Sequence, residues 1–568
     1  MAIIELPESS IELLDASWDD IHPYYEQLAN YRLDHDNVEQ WLKTWSTLEE
    51  LLQEAAARAS VGYTTDTSNE AMERAHLRFS SEIGPKMQEQ RVRLGRRLLD
   101  LGYERDDLMT TLRRIQNQFD LFREENLPLS SELAKLNAEY QKITGSMTVK
   151  WDDEELTLPQ LQPFLRSEDR DTRERAFRLG AQPFIDQREQ LADLFDRQFE
   201  LRQQYARNAG FDNFRDYTHQ EKNRFDYTVA DCEQFQNSVE QKVVPAVARI
   251  YERRRQRLGL DTLRPWDLDV DPEGCPPLDP VDEISTLVDR ACGIFRQVDP
   301  RLGDHFQWMA EERLLDLESR KNKAPGGYCT SFQHRGEPFI FMNAVGVAGD
   351  VRTLLHEAGH AFHSIEAHKL PFIWQRHPGS EMAEVASMSM ELLSAPYLAE
   401  NDGGYYTEDD ARRARIEHLE GILALLAHIA SVDAFQHWIY TSGDGHDRDA
   451  RDEAWLRIRE RFEPVIDWSG LEAQRVARWY RQMHIFLLPF YYIEYGIAQL
   501  GSLQVWRNSM EHPERATAAY RRALELGGTK PLTELFETAG ARLAFDAQTV
   551  GELVDLVEGQ LEELEREE

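Results

Sequence analysis

Long runs of apolar residues at three- and four-residue steps are the feature that most constrains the fold of this chain. Within residues 37–57 one helical face carries Val38, Trp41, Leu42, Trp45, Leu48, Leu51 and Leu52. Similar runs predict long helices over about residues 188–209 and 229–258. Strand and helix patterns do not alternate, which disfavours a doubly wound α/β enzyme. The sequence therefore predicts a mainly α-helical protein.

Three segments interrupt the helical pattern. Residues 146–158 and 326–345 each hold two short apolar or aromatic runs around a polar turn, which predicts two small β-hairpins. Residues 261–280 are rich in Pro and Asp, so we expect an extended surface connection there. Residues 338–343 offer two interpretations: an exposed strand edge that receives an extended peptide, or an ordinary hairpin strand.

Composition excludes several classes of protein. Of 568 residues 41% are hydrophobic, which is enough to build a packed core rather than a disordered polyelectrolyte. The formal net charge of −37 disfavours nucleic acid and anionic membranes as partners. No apolar stretch reaches the roughly 20 residues that span a bilayer. We therefore expect a protein that binds neither nucleic acid nor a membrane.

The cysteines and the first residues favour the cytoplasm. The four cysteines form no CxxC pair and are too few to stabilise a chain of this length by disulfides, so we expect reduced thiols. The first ten residues, MAIIELPESS, lack the basic segment of a secretory signal. A cytoplasmic location is the prediction.

The segment HEAGH carries the chemistry. His356 and His360 lie one helical turn apart, so both imidazoles can face one ion. Zinc suits nitrogen and oxygen ligands in tetrahedral geometry, and a catalytic site leaves one position for water. Glu357, beside the first histidine, is placed to act as the general base on that water. His363, three residues further on, is interpreted as a structural histidine, with a catalytic role as the alternative.

The motif alone is weak evidence, because HExxH arises by chance in roughly one such sequence in twenty. A third ligand must come from another element, since Glu366 lies about ten residues along the same helix from His356. The segment SEMAEVASMSMELL offers Glu381, Glu384 and Glu391. A carboxylate among small apolar neighbours is costly unless it meets a cation. Spacing alone leaves Glu384 and Glu381 as equal candidates, with Glu391 behind them.

These residues resemble the oligoendopeptidase F and thimet oligopeptidase family of zinc metallopeptidases. The resemblance rests on HEAGHAFH, AEVAS, PFIFMN and PFYYIEY, and it covers roughly residues 146–502. It implies Glu384 as the third zinc ligand and leaves Glu381 as a residue that could orient a ligand histidine. It also implies one zinc ion per chain.

The same resemblance implies a catalytic role for the aromatic segment downstream of the zinc ligands. His484, Tyr491, Tyr492 and Tyr495 match the family's His/Tyr stretch, whose phenols stabilise the oxyanion of the tetrahedral intermediate. Leu487 and Leu488 stand where relatives carry further tyrosines. Among the tyrosines Tyr495 is favoured, and the alternative is that these rings are core residues.

The resemblance implies a two-lobed helical clam with a deep active-site channel and small hairpins near the zinc helix. We expect residues 1–195 to form an N-terminal helical lobe and residues 196–568 to form the catalytic domain. The predicted function is a zinc endopeptidase that cleaves short, unstructured oligopeptides, with water activated by Glu357. Two alternatives remain: a zinc carboxypeptidase on a similar fold, and a non-catalytic peptide-binding protein.

Overall fold

The computed structural model describes residues 4–281 and 283–566, and it confirms the mainly helical prediction. The α-helices are α1 Trp18–Asn30, α2 Val38–Thr65, α3 Glu70–Arg78, α4 Gly84–Leu101, α5 Met109–Leu121, α6 Leu127–Gly145, α7 Gln162–Leu165, α8 Arg170–Asp186, α9 Arg188–Asn208, α10 Phe214–Glu221, α11 Val229–Arg257, α12 Ile284–Val298, α13 Pro300–Glu311, α14 Ala348–Ala367, α15 Ser380–Ser394, α16 Glu408–Thr441, α17 Arg448–Phe462, α18 Glu472–Arg481, α19 Met483–Leu487, α20 Tyr492–Glu511, α21 Pro513–Glu525, α22 Leu532–Thr538 and α23 Ala547–Arg566.

Both predicted hairpins are present. Strand β1 (Thr148–Trp151) pairs antiparallel with β2 (Glu154–Thr157). Strand β4 (Tyr328–Phe332) pairs antiparallel with β5 (Glu337–Ala344), and β3 (Leu315–Glu318) adds to β5 in parallel. The sheet order β3-β5-β4 makes β5 the central strand. Of the two interpretations of residues 338–343, the exposed edge is therefore wrong and the ordinary hairpin strand is right, because β5 is bonded on both sides and β4 lies at the edge.

The chain divides into two compact units, each built from three separate segments. Unit 1 comprises Met1–Leu121, Leu278–Arg415 and Ala498–Leu543. One apolar cluster of this unit is centred on the face of α2 that the sequence predicted, where Trp41, Trp45 and Leu48 are fully buried. The sequence predicts a domain boundary near residue 195. These compact units do not test that boundary, which stays a prediction.

Unit 2 comprises Phe122–Pro277, Ile416–Ile497 and Ala544–Glu568. Helix α11 begins with a reciprocal cap in which Thr228 and Asp231 satisfy each other's backbone N–H groups. The Pro-rich stretch predicted as an extended connection contains one short 3₁₀ turn, Pro265–Asp267, and Trp266 packs there beside Trp468 and Leu471.

Helix α16 is the one helix in the described ranges that is long and apolar enough to cross a membrane. In its most apolar window, 78% of the residues are buried inside the protein. A core helix of this kind passes the same test, and burial is what distinguishes it from a span.

A short connection fixes the start of α14 relative to the sheet. Strand β5 ends at Ala344, and the Asp350 carboxylate accepts hydrogen bonds from the backbone N–H groups of Val345, Gly346 and Val347 at 2.8–3.0 Å. The carboxylate also lies in the first turn of the helix, where the helix dipole favours negative charge. The helix that carries HEAGH is thereby held against β5.

Candidate metal centre

His356 and His360 lie one turn apart on α14, as the spacing predicts. Their ring centroids are 5.0 Å apart and the ring planes are nearly perpendicular, at 83°. Each side chain is 23% exposed, so each is held by the protein yet reachable from outside it. Two imidazoles in this arrangement can share one ion.

Helix α15 supplies the third donor. Glu384 Oε2 lies 3.4 Å from His356 Nε2 and 3.6 Å from His360 Nε2. Nitrogen and oxygen donors about 2.0–2.2 Å from a tetrahedral zinc ion are separated by about 3.3–3.6 Å, so both distances fit such a site. The three side chains form a group able to hold a metal ion, with all ligand atoms within 4.8 Å of one another.

Gly359 explains how the two helices come this close. A Cβ atom at this position would lie 2.6 Å from Ala386 O and 2.6 Å from Ser387 Cα on α15. Real Cβ contacts of that length do not occur, so only glycine allows the backbones this approach. Tyr520 holds the other helix by donating a hydrogen bond to Ala386 O at 2.8 Å. The glycine inside HEAGH is thus a packing requirement of the centre.

Glu391 completes the surroundings of His356. Its Oε1 lies 2.7 Å from His356 Nδ1, and the ring nitrogen donates to it. Nε2 of the same ring faces Glu384, and with one proton held on Nδ1 a metal ion can replace the second proton at Nε2. By its spacing in the sequence, Glu391 ranks only third among the candidate ligands. A signal for this role was present, because Glu391 follows Glu384 by seven residues, two helical turns on the same face.

The centre carries more negative than positive charge before any cation is added. Burial lowers the pKa of His356, but hydrogen bonds to Glu384 and Glu391 outweigh it and raise the pKa to about 10. Burial also lowers the pKa of His360, to about 4. A buried cluster with this surplus of carboxylate charge is stabilised by a divalent cation.

Glu357 lies beside the ligand group but points to another partner. It is buried, and it accepts a hydrogen bond from the backbone of Cys329 on β4. Burial raises the pKa of Glu357 to about 7, the Glu384 charge adds to the rise, and the His356 charge opposes it. A carboxyl group with a pKa near neutrality can both accept and return a proton.

Glu366 belongs to a different cluster, as its distance along the helix predicts. The side chain is fully buried and pairs with Arg301 at 2.7 Å, Lys369 at 2.6 Å and Arg521 at 3.7 Å. Burial raises the pKa of this carboxyl, but a hydrogen bond from His305 and the neighbouring cations lower it to about 2. Glu366 therefore ties the end of α14 to α13 and α21.

His363 and Glu381 are both buried. Burial lowers the pKa of His363 to about 3, in keeping with the neutral structural histidine that the sequence favoured. Glu381 lies in the first turn of α15, about one turn before Glu384. Its predicted role in orienting a ligand histidine stays a prediction.

The predicted His/Tyr group is assembled within unit 2. The ring of His484 lies 4.7 Å from Tyr492, 6.0 Å from Tyr495 and 6.3 Å from Tyr491, measured between centroids. All four side chains are partly exposed. They form one aromatic patch with a polar edge rather than a sealed core, and their catalytic roles stay predictions.

Comparisons with known proteins agree with this site. The profile of peptidase family M3 matches residues 164–553. An oligoendopeptidase F homolog of Borreliella burgdorferi is 22% identical over 474 residues, 78% of this chain and 75% of that protein. Oligopeptidase PepF of Bacillus subtilis is 26% identical over 265 residues, 45% of this chain and 37% of that protein. The second alignment thus spans less than half of its relative.

The likeness to a solved structure is more extensive. The structure of PZ peptidase A with an inhibitor matches with a TM-score of 0.87 at 29% identity, covering 99% of this chain and 98% of that chain. The shared fold therefore includes the helices that carry the metal centre and the segment that carries the aromatic patch.

Proposed function

We propose that this chain, which belongs to peptidase family M3, cleaves internal bonds of short, unstructured oligopeptides with one zinc ion held by His356, His360 and Glu384. It is a zinc metallopeptidase of the oligoendopeptidase F type. The observation that carries the residue assignment is the pair of 3.4 and 3.6 Å distances from Glu384 to the two histidines. They match the separation of donors around one tetrahedral ion.

A bound zinc ion supplies Lewis-acid chemistry, which polarises a carbonyl group and lowers the pKa of water. Glu357 takes the proton from the attacking water and later delivers it to the leaving amine. Its buried position favours this exchange, because burial raises the pKa of its carboxyl to about 7. Glu391 keeps the proton of His356 on Nδ1, so that Nε2 stays a ligand.

In the proposed mechanism His484, Tyr492 and Tyr495 donate hydrogen bonds to the oxyanion that develops in the transition state. An O–H or N–H group aimed at that charge stabilises the transition state more than the substrate. The support is the family match, which includes these residues, and their assembly into one partly exposed patch. The two-lobed clam with a deep channel, the division near residue 195 and the cytoplasmic location remain parts of this proposal.

Strand β4 is the proposed docking edge for the peptide. It pairs only with β5 among the described residues, and the Cys329 backbone on it hydrogen-bonds Glu357. A peptide added to this edge is held extended by main-chain hydrogen bonds, which are independent of side-chain identity. That mode accepts many sequences but requires an unfolded segment.

Mass spectrometry of products from an unbiased peptide library tests the proposal. Internal fragments are expected, with no cleavage of a tightly folded protein supplied at the same concentration. Release of single C-terminal residues would favour the carboxypeptidase alternative. The Glu357→Gln variant is the matched control: it should keep zinc and lose about 10²-fold or more in kcat. Turnover close to the parent's in that variant would overturn the mechanism.

A further inference from the structure

A hydrogen-bond relay in unit 2 begins at the buried Arg459 and ends on the partly exposed His484. Arg459 Nη1 lies 2.8 Å from His428 Nδ1, and His428 Nε2 lies 3.1 Å from Gln482 Oε1. Gln482 Nε2 in turn lies 3.0 Å from His484 Nδ1. Three separate segments contribute, since His428 lies on α16, Arg459 on α17, and Gln482 with His484 at the start of α19.

The Arg459 guanidinium sets the donor and acceptor of every hydrogen bond that follows in the relay. A guanidinium only donates, so His428 Nδ1 accepts from Arg459 and the proton of the neutral imidazole lies on Nε2. That N–H must meet an acceptor, which identifies the facing amide atom as the Gln482 oxygen. The amide nitrogen therefore faces His484 Nδ1 and donates to it. The remaining proton of a neutral His484 then lies on Nε2.

The Arg459 side chain is fixed in this orientation by its burial and by two other polar partners. Its side chain is 3% exposed, donates to Ser431 Oγ at 2.5 Å and pairs with Glu463. Ser431 Oγ donates in turn to the His428 backbone carbonyl at 2.7 Å. The guanidinium that starts the relay is thereby held from two sides.

Tyr492 lies beside the relay. Burial raises the pKa of its phenol, and the neighbouring Gln482 side chain opposes that rise. The ring of Tyr492 lies 5.5 Å from His428 and 4.7 Å from His484 between centroids. The Gln482 amide thus donates to His484 beside the Tyr492 ring and leaves His484 with its own proton to give.

We propose that Arg459, His428 and Gln482 are positioning residues that hold His484 as the neutral Nε2–H tautomer. The catalytic consequence rests on the proposed function, in which His484 faces the oxyanion. Burial supports the neutral state, because it lowers the pKa of His428 to about 3 and of His484 to about 4.

The tautomer can be read without any activity measurement. Ring ¹⁵N shifts of the full chain, labelled with ¹⁵N-histidine, separate protonated from unprotonated nitrogens, and loss of signals in His484→Gln identifies the residue. We expect Nε2 protonated and Nδ1 unprotonated in the parent. In Gln482→Glu the carboxylate accepts instead of donating, so His484 should gain a proton on Nδ1. A parent with the proton on Nδ1, or an unchanged spectrum in Gln482→Glu, would overturn the relay.

Kinetics test the consequence. Gln482→Met keeps the side-chain volume and removes the amide, so kcat should fall about 10- to 100-fold with KM little changed. The same substitution should cost much less in a His484→Gln background, because the relay then has nothing to position. Gln256→Met, an exposed change on α11, is the control and should leave kcat unchanged. If Gln482→Met lowers kcat equally in both backgrounds, Gln482 does not act through His484 and its role is structural. Full kcat in His484→Gln would instead refute the assignment of His484 in the proposed function, with the tautomer still measurable.

Discussion

Glu391 Oε1 lies 2.7 Å from His356 Nδ1, two helical turns beyond the Glu384 carboxylate that faces the other nitrogen of the same ring. One helix, α15, therefore contacts both nitrogens of one imidazole. A carboxylate in this position fixes the ring's orientation and tautomer and increases its basicity as a ligand. The arrangement makes the affinity for metal depend on a residue that does not touch the metal.

Glu391→Gln should lower zinc affinity by about 10- to 100-fold while the fold stays intact. Chelator competition gives the zinc Kd, and circular dichroism checks the fold. Glu384→Ala should cost more, since it removes a ligand. Glu381→Gln is the comparison on the same helix: if it alone releases zinc, the assignments of both Glu384 and Glu391 are wrong.

Gly359→Ala tests whether close helix packing sets the ligand spacing. The new Cβ would meet Ala386 O and Ser387 Cα at 2.6 Å, and both are backbone atoms that cannot rotate away. Helices α14 and α15 must then separate, which should weaken zinc binding about tenfold or more and destabilise the protein by about 1–3 kcal/mol. Gly349→Ala on the same helix is the control, because its Cβ would find its nearest atom at 4.0 Å. Equal zinc affinity in both variants would contradict this role for Gly359.

Tyr495→Phe separates a catalytic tyrosine from a packing one. The change removes one hydroxyl and little volume, and the contacts of the ring with Tyr491 and Tyr492, at 5.2 and 5.6 Å, are kept. A hydroxyl that binds the oxyanion should cost about 10²–10³-fold in kcat with KM little changed. Steady-state kinetics and thermal unfolding are measured together. A lower Tm with unchanged kcat would assign Tyr495 to packing.

The sequence predicted the parts of the site that follow from local periodicity. His356 and His360 share a face because a helix has about 3.6 residues per turn, and a buried carboxylate on α15 needs a cation. Spacing alone could not choose between Glu384 and Glu381, because that choice depends on how α15 packs against α14. Gly359 controls that packing, and its close contact with Ala386 is visible only in three dimensions.

Other features could not be predicted from a single sequence. Strand β3 is four residues long, so its LDLE pattern carries too little signal, and without β3 the sequence leaves both an edge strand and an ordinary hairpin strand open for β5. The relay from Arg459 through His428 to Gln482 joins residues 31 and 54 positions apart. Such contacts depend on tertiary packing, which helical periodicity does not encode.

The ion pairs of Glu366 should make the stability of the protein depend on pH in the acid range. Its pKa falls from an ordinary 4.5 to about 2 in the folded protein, because the hydrogen bond from His305 and the charges of Lys369 and Arg301 outweigh burial. A group whose folded pKa is depressed stabilises the protein above its unfolded pKa and loses that contribution as pH falls through the folded value. The window is therefore about pH 4.5 down to 2.

Glu366→Gln removes the charge and keeps the shape. At pH 7 the variant should be less stable by on the order of 2–3 kcal/mol, and the difference should shrink steadily between pH 4.5 and 2. Urea unfolding with a chelator present measures the difference without a contribution from metal release. Glu511→Gln, an exposed change, should show no comparable gap at any pH. A difference between parent and Glu366→Gln that stays constant down to pH 2 would mean that Glu366 stabilises the end of α14 by its shape and hydrogen bonds rather than by its charge.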